Sequence, residues 1–290
     1  MTHIKEFKNT HLNVDLKPFD WYGGKGHMAD FILQYVPENL DLYCEPFGGG
    51  ASLFFNMPPK KIEVYNDIDS RLVNFFRVLQ NRSTMAELSH MLSYTLYSYE
   101  EYVRALDLLK KEESTSVEKA WAFFVVYNCS YVASGKSKGG WSVSKKVKSN
   151  KIKQFRKRIE LLDIFCKRFL NVIIDHRDAI DCIKKFDTEG SFFYLDPPYP
   201  AETRTKNYVY KYETSQILHE RLVQQMLTSK GMFILSCYWH DVYQPLIDFG
   251  YRMVDFKVVC YSGGMQGKKP SRKEVLLLSP NLKVRQLKMF

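Results

Sequence analysis

No stretch of this sequence is apolar for long enough to cross a bilayer. The best candidate, Ala120 to Gly135, is interrupted by Asn128, Ser130 and Ser134 and falls short of the about 18 residues that a spanning helix needs. The N-terminus lacks the apolar core of a secretory signal, since Thr2, His3, Lys5, Glu6 and Lys8 run through it. A cytoplasmic location and no membrane partner are therefore expected. The six cysteines (44, 129, 166, 182, 237, 260) include no Cys-x-x-Cys pair. That spacing argues against a zinc or redox motif, so the cysteines read as reduced packing residues and no metal site is expected. Internal repeats and low-complexity tails are also missing.

The 290 residues, 45% apolar and 26% charged, give room for one large α/β domain with an insert, or for two modest domains. The net charge of +10 is concentrated. The segment from Val132 to Arg158 has no acidic residue and ten basic ones: Lys136, Lys138, Lys145, Lys146, Lys148, Lys151, Lys153, Arg156, Lys157 and Arg158, interleaved with Gly135, Gly139, Gly140 and Trp141. The remainder of the chain balances to zero. A positive run of this density predicts a polyanionic partner; the alternative, a solvated charged face, usually mixes Lys with Glu.

Apolar runs at Leu40 to Cys44 and Ile62 to Tyr65 predict two strands, with Gly48 to Gly50 and a helix from Ala51 to Asn56 after the first. Ser70 is placed as the N-cap of a helix reaching Gln80. Helical spacing at Tyr99 to Leu109, Val117 to Tyr127 and Phe155 to Phe169 marks 81–170 as a mostly helical insert. Strands are expected at Val172 to Ile174, Phe192 to Leu195, Met232 to Ser236, Met253 to Cys260 and Val275 to Leu278, with helices at Ser215 to Thr228 and Asp241 to Phe249. Gly231 and Gly250 stand where helix C-terminal glycines belong. The last two strands leave no room for a crossover helix, so they should form an antiparallel hairpin.

Asp196-Pro197-Pro198-Tyr199 follows the apolar strand Phe192 to Leu195 directly, at the carboxyl end where open α/β sheets bind ligands. Two prolines fix the backbone and remove two donors, leaving carbonyls and a carboxylate as acceptors. An exocyclic nucleobase amine suits such a group. If Asp196 and the Pro197 carbonyl accept its two hydrogens, the nitrogen lone pair is freed, while Tyr199 offers a surface on which a flipped base can stack. The bland alternative is a rigid turn after a buried strand. Gly48 to Gly50 permit close backbone approach to a ligand, and Asp67, 19 residues beyond Gly48, lies where an acid accepts from ribose hydroxyls. That pair alone would fit a nicotinamide dehydrogenase equally well.

Taken in order, Trp21-Tyr22-Gly23-Gly24-Lys25, Glu45-Pro46-Phe47-Gly48-Gly49-Gly50-Ala51-Ser52, Asn66-Asp67-Ile68-Asp69 and Asp196-Pro197-Pro198-Tyr199 resemble the Dam-type DNA adenine-N6 methyltransferases across most of the chain. Arg272 to Leu277 resembles that family's closing strand. The resemblance implies a Rossmann-like α/β fold that uses S-adenosylmethionine, with a C-terminal antiparallel hairpin and a helical insert. It divides the chain into a catalytic domain (1–80 and 171–290) and a target-recognition insert (81–170). Trp21, Tyr22, Lys25, Glu45, Phe47, Gly48, Gly49, Gly50, Asp67 and Asp196 would meet the cofactor, and Asp196, Pro197, Pro198 and Tyr199 would carry catalysis. Lys25 alone would read as a surface charge. Asp178 is a candidate acceptor for the cofactor adenine amine, or a plain loop acid.

Double-stranded DNA is the implied partner, with Lys136, Lys138, Trp141, Lys145, Lys146, Lys148, Lys151, Arg156, Arg204 and Lys206 as contacts, although the stretch holding Arg204 and Lys206 reads equally well as an edge strand with alternating tyrosines. A monomer is expected, with two copies on a palindromic site as the alternative. Methylation at cytosine carbon would need a nucleophilic cysteine, usually presented by Pro-Cys, and that dipeptide does not occur. Transfer to nitrogen needs no such adduct, so His27, His176 and His240 read as structural. Two chemical rivals remain, cytosine N4 and adenine in RNA, and Asp rather than Ser before Pro-Pro favours adenine. A non-catalytic DNA-binding protein of the same fold is the rival from another class.

Overall fold

The computed structural model describes residues 16–130, 140–143, 150–199, 216–256 and 274–283. A 3-10 turn at Gly26–Met28 runs into α1 (Ala29–Leu33). The first apolar run forms β1 (Leu42–Glu45), buried along its length, and α2 (Ser52–Asn56) follows the glycine loop. Next come β2 (Ile62–Asn66) and α3 (Ser70–Gln80). The cap of α3 corrects the expectation: it is Asp69, whose carboxylate accepts from the Arg71 N–H, and a carboxylate is a stronger acceptor there than the Ser70 hydroxyl.

The described part of 81–170 is helical. α4 (Arg82–Ser93) has no counterpart in the sequence reading because it buries only Leu88 and Leu92, too thin a stripe to register as periodic. Asn81 starts it by accepting from the Ser83 and Thr84 N–H groups. α5 (Tyr99–Leu108) is followed by α6 (Ser116–Cys129), which opens with a Thr115/Glu118 capping box and is buried on nearly every side, as befits a core helix. The single helix expected from Phe155 to Phe169 is two, α7 (Lys151–Glu160) and α8 (Leu162–Phe169), meeting at Leu161. Their apolar positions 155, 159, 162, 165, 166 and 169 keep one helical period across the break, so the pattern conceals it.

β3 (Val172–Asp175) precedes α9 (Ala179–Phe186), an eight-residue helix missed for its shortness. The chain continues through β4 (Ser191–Leu195), α10 (Gln216–Thr228), β5 (Met232–Tyr238), α11 (Gln244–Phe249), β6 (Arg252–Phe256) and β7 (Glu274–Leu278). Gly250, at φ 109°, ends α11 as expected. Gly231 does not cap a helix. A Cβ there would stand 2.8 Å from the Phe193 ring, so its smallness serves packing at the start of β5.

The fold divides into two compact units, built from the described parts of Met1–Tyr35 with Gly48–His176, and of Val36–Phe47 with Arg177–Phe290. In the first, β2 pairs in parallel with β3, and α6 packs against α3 and α5. A ring cluster of Phe76 with Phe169 (4.5 Å between centroids) and Tyr65 with Phe76 (4.7 Å) forms its core. In the second unit, β1, β4 and β5 run parallel, and β7 pairs antiparallel with both β5 and β6. The strand order is β3-β2 in the first unit and β1-β4-β5-β7-β6 in the second, parallel except at the C-terminal part. The α/β expectation and the closing antiparallel pair both hold. Every residue of β4 is buried, which is why it reads as one continuous apolar run. Among the described residues no helix is long and apolar enough to cross a membrane.

Candidate active-site motifs

Two of the four motifs, and the glycine half of a third, meet in the first unit. Trp21 begins a tight turn, its carbonyl accepting from the Gly24 N–H at 3.1 Å, and its indole lies on the glycine loop. A Cβ on Gly49 would stand 2.9 Å from the indole nitrogen, and one on Gly48 would stand 2.3 Å from the Tyr65 ring. Gly49 also has a φ of 49°, which side chains resist. The glycines are therefore required first by the protein's own rings. Two bonds tie the loop to the end of β2: the Gly48 N–H donates to the Asn66 carbonyl (2.8 Å), and the Tyr65 hydroxyl donates to the Gly49 carbonyl (2.8 Å). Ala51, at φ 55°, is the one non-glycine residue with positive φ among the described residues.

Asp67 completes this arrangement. Its two carboxylate oxygens accept from the Gly49 N–H (2.9 Å) and the Asp69 N–H (2.8 Å), so it braces the loop. Burial pushes its carboxyl up to about 6 against those two bonds, helped by the Asp69 charge and opposed by His176. Lys25 is only 5% exposed, and its ammonium donates to the Gly23 carbonyl at 3.0 Å, which is not the behaviour of a surface charge. Tyr22 is exposed. The Tyr127 ring, 5.1 Å from that of Trp21, belongs to this neighbourhood and gave no signal beyond helical spacing.

The second unit holds the rest. Glu45, 2% exposed at the end of β1, accepts from the Tyr43 hydroxyl at 2.8 Å, and Phe47 is half-buried. Asp178 caps α9 through the Ile180 N–H (2.9 Å) and has Arg221 at 3.7 Å. Asp196 to Tyr199 leave the carboxyl end of β4, with Pro197 buried and Asp196, Pro198 and Tyr199 partly exposed. The Tyr199 hydroxyl donates to Glu274, and its ring meets that of Tyr238 edge-on at 4.5 Å. Tyr194, fully buried, has a hydroxyl in hydrogen-bond geometry with no partner among the described residues. Burial and then the charges of Asp196, Glu45 and Glu274 push that phenol well above its ordinary value, which the nearby Ser236 offsets only in part. Sequence reasoning assigned no role to Tyr194, Ser236 or Tyr238. Glu274 had a signal that went unused, as a lone acid at the head of an otherwise apolar strand.

Of the proposed DNA contacts, Trp141, Lys151 and Arg156 are described. Trp141 packs against Tyr99 (5.7 Å) and Tyr97 (6.3 Å). Lys151 pairs with Asp20 at 3.3 Å, and Arg156 donates to the Ser93 and Thr95 carbonyls, so both are committed internally. Burial opposes the Asp20 charge, but Arg158, Lys17 and Lys151 outweigh it and hold the carboxyl well below its usual range. Lys136, Lys138, Lys145, Lys146, Lys148, Arg204 and Lys206 lie outside the described residues. Five cysteines are described and all are buried; Cys44 and Cys182 sulfurs are 3.7 Å apart, in contact and not bonded.

A family model described as D12 class N6 adenine-specific DNA methyltransferase matches residues 21–238. The chain is 27% identical over 237 residues to the type II methyltransferase M1.LlaDCHI of Lactococcus lactis subsp. cremoris, an alignment covering 77% of this chain and 81% of that protein. It is 24% identical over 251 residues to the type II methyltransferase M.CviBI of Paramecium bursaria Chlorella virus NC1A, covering 83% and 90%. The DNA N-6-adenine-methyltransferase of Escherichia phage P1 is 24% identical over 245 residues, 77% of this chain but 31% of the phage protein.

Proposed function

The chain belongs to the D12 class N6 adenine-specific DNA methyltransferase family, and from that premise we propose that it transfers a methyl group from S-adenosylmethionine to the N6 amine of an adenine flipped out of double-stranded DNA. The observation that carries this reading is the Asp196-Pro197-Pro198-Tyr199 segment, which leaves the carboxyl end of a fully buried strand with its tyrosine already fixed. The donor set of the first unit fits the cofactor: a buried ammonium (Lys25) for a carboxylate, an acid (Asp67) for ribose hydroxyls, and a glycine loop that carries no Cβ. Trp21, Tyr22, Gly48, Gly49 and Gly50 in that unit, with Glu45, Phe47, Asp178 and Asp196 in the other, are the remaining residues assigned to hold it. When bound, S-adenosylmethionine supplies an electrophilic methyl group on a sulfonium.

The chain's own residues prepare the nucleophile. The Asp196 carboxylate and the Pro197 carbonyl accept the two N6 hydrogens, which draws the amine toward a pyramidal shape with its lone pair out of the ring. Pro197 and Pro198 hold those acceptors without competing donors. Tyr199 stacks on the extruded base, a contact worth about 1 to 3 kcal/mol. The basic segment between Val132 and Arg158 neutralises phosphates, and the unit of recognition is 81–170, the catalytic domain being 1–80 with 171–290. Lys136, Lys138, Lys145, Lys146, Lys148, Arg204 and Lys206 are assigned to DNA ahead of Lys151 and Arg156, which have internal partners. The enzyme is taken to act as a monomer in the cytoplasm.

Incubating the protein with duplex DNA and methyl-labelled cofactor, then resolving the nucleosides, tests the reading: labelled N6-methyladenine is expected. Label in N4-methylcytosine, or only with RNA as substrate, would replace it with a rival chemistry, and no label at all would leave a DNA-binding protein. Sequencing of modified bases in DNA from expressing cells gives the target site.

A further inference from the structure

We propose that Glu274 is a positioning residue of the catalytic segment: its buried carboxylate, together with the ring of Tyr238, fixes the plane of Tyr199. This rests on the reading of Tyr199 as the stacking partner of the target adenine. Glu274 heads β7, is 6% exposed, and precedes four buried apolar residues. In the antiparallel ladder its register partner on β5 is Tyr238, so the two side chains leave the sheet side by side on one face. Both reach the same residue. The Tyr199 hydroxyl donates to Glu274 Oε1, and the Tyr238 ring braces the Tyr199 ring edge-on, with centroids 4.5 Å apart and planes at 60°. Ser236, two residues before Tyr238 and on the same face, donates to the same Oε1 at 3.4 Å.

A carboxylate buried in an apolar strand is costly unless its oxygens are satisfied, so this acid calls for donors, and Tyr199 is the donor that belongs to the catalytic segment. Burial and the charges of Asp196 and Glu274 hold the Tyr199 hydroxyl well above its ordinary value, which keeps its proton in place to donate. Gripped at its tip and braced along its edge, the ring cannot turn without breaking a charge-assisted bond. A stacking surface that must meet an extruded base gains from orientation set before the base arrives.

Two measurements on the full chain, made once the site is mapped, read the proposal: single-turnover methyl transfer to duplexes with adenine at the site, and fluorescence on binding separate duplexes with 2-aminopurine in its place. Glu274→Leu should slow transfer about tenfold, the order expected for one hydrogen bond to a charged group, with affinity for S-adenosylhomocysteine unchanged. Glu274→Gln keeps an acceptor oxygen and should recover to within about threefold of the wild type. Tyr199→Phe removes the same bond from the other side and should match Glu274→Leu in rate and in 2-aminopurine signal, the double variant being no slower than either. Since Tyr199→Phe leaves the buried strand intact, it decides the matter if Glu274→Leu does not fold. A wild-type rate in Tyr199→Phe, or losses that add in the double variant, would overturn the proposal. Tyr199→Ala separates the two layers: a wild-type rate there sinks the stacking role and the clamp together, whereas a slow Tyr199→Ala beside a wild-type Tyr199→Phe removes the clamp alone.

Discussion

Each unit anchors its loop with a tyrosine hydroxyl, but the acceptors differ in kind. In the first unit Tyr65 donates to the Gly49 carbonyl, and the loop is otherwise held by backbone N–H groups meeting Asn66 and Asp67. In the second, Tyr199 donates to the buried carboxylate of Glu274. The first arrangement is a backbone shape that any added carbon disturbs. The second is a charged contact, roughly twice as strong as a neutral one, that tolerates bulk but not loss of the acceptor. Binding should thus be lost in the first unit by steric or acid changes, and rate in the second by removal of acceptors.

The largest break in that comparison is expected at Asp196. Asp196→Asn preserves shape but presents an amide where an anionic acceptor stood, and single-turnover transfer should fall by at least about a hundredfold while specific DNA binding survives in a gel-shift assay. Equal losses in rate and DNA affinity would mean that Asp196 shapes the surface and does not orient the amine. Next comes Asp67→Ala, which should weaken S-adenosylhomocysteine by about ten- to hundredfold in calorimetry and leave DNA affinity alone. Unchanged calorimetry would remove Asp67 from the cofactor.

The same acid sharpens the comparison through pH. With its carboxyl pushed up to about 6, Asp67 takes up a proton as pH falls through that value, and a protonated acid accepts poorly from ribose hydroxyls. Affinity for S-adenosylhomocysteine should therefore drop by about tenfold per unit below pH 6, a slope that Asp67→Asn should abolish. Stability runs the other way. A folded value above the ordinary one means that the group's stabilising contribution is full below about 4 and is lost as pH rises through about 6. Asp67→Asn should then show a smaller fall in melting temperature between those limits.

Smaller still is the cost of bulk under the glycine loop. Gly48→Ala places a carbon 2.3 Å from the Tyr65 ring, and urea unfolding should report a destabilisation of about 1 to 3 kcal/mol. An unmoved midpoint would show that the ring yields. The smallest effect per residue belongs to the basic segment. Replacing Lys145, Lys146 and Lys148 by Ala should flatten the dependence of log K for DNA on log salt by about one for each phosphate no longer neutralised, without touching cofactor affinity.

What the sequence determined by itself was the set of motifs and their order. Asp196-Pro197-Pro198-Tyr199 after a continuous apolar run, Gly48 to Gly50 before a helix, and a closing pair too near for a crossover all depend on local backbone rules, which act within a few residues. Local rules also misled where two answers share one pattern: the period through Phe155 to Phe169 is the same with or without a break at Leu161, and Gly231 looks like a cap until Phe193 is seen beside it. Only the tertiary structure decided what each motif leans on. Tyr65 under Gly48, Trp21 against Gly49, Asp67 turned toward two N–H groups, and Glu274 holding Tyr199 from 75 residues away are all set by which strands lie side by side and which face each side chain leaves. A contact made across a sheet leaves no periodicity along the chain, so an isolated acid such as Glu274 shows its partner only once the strands are paired.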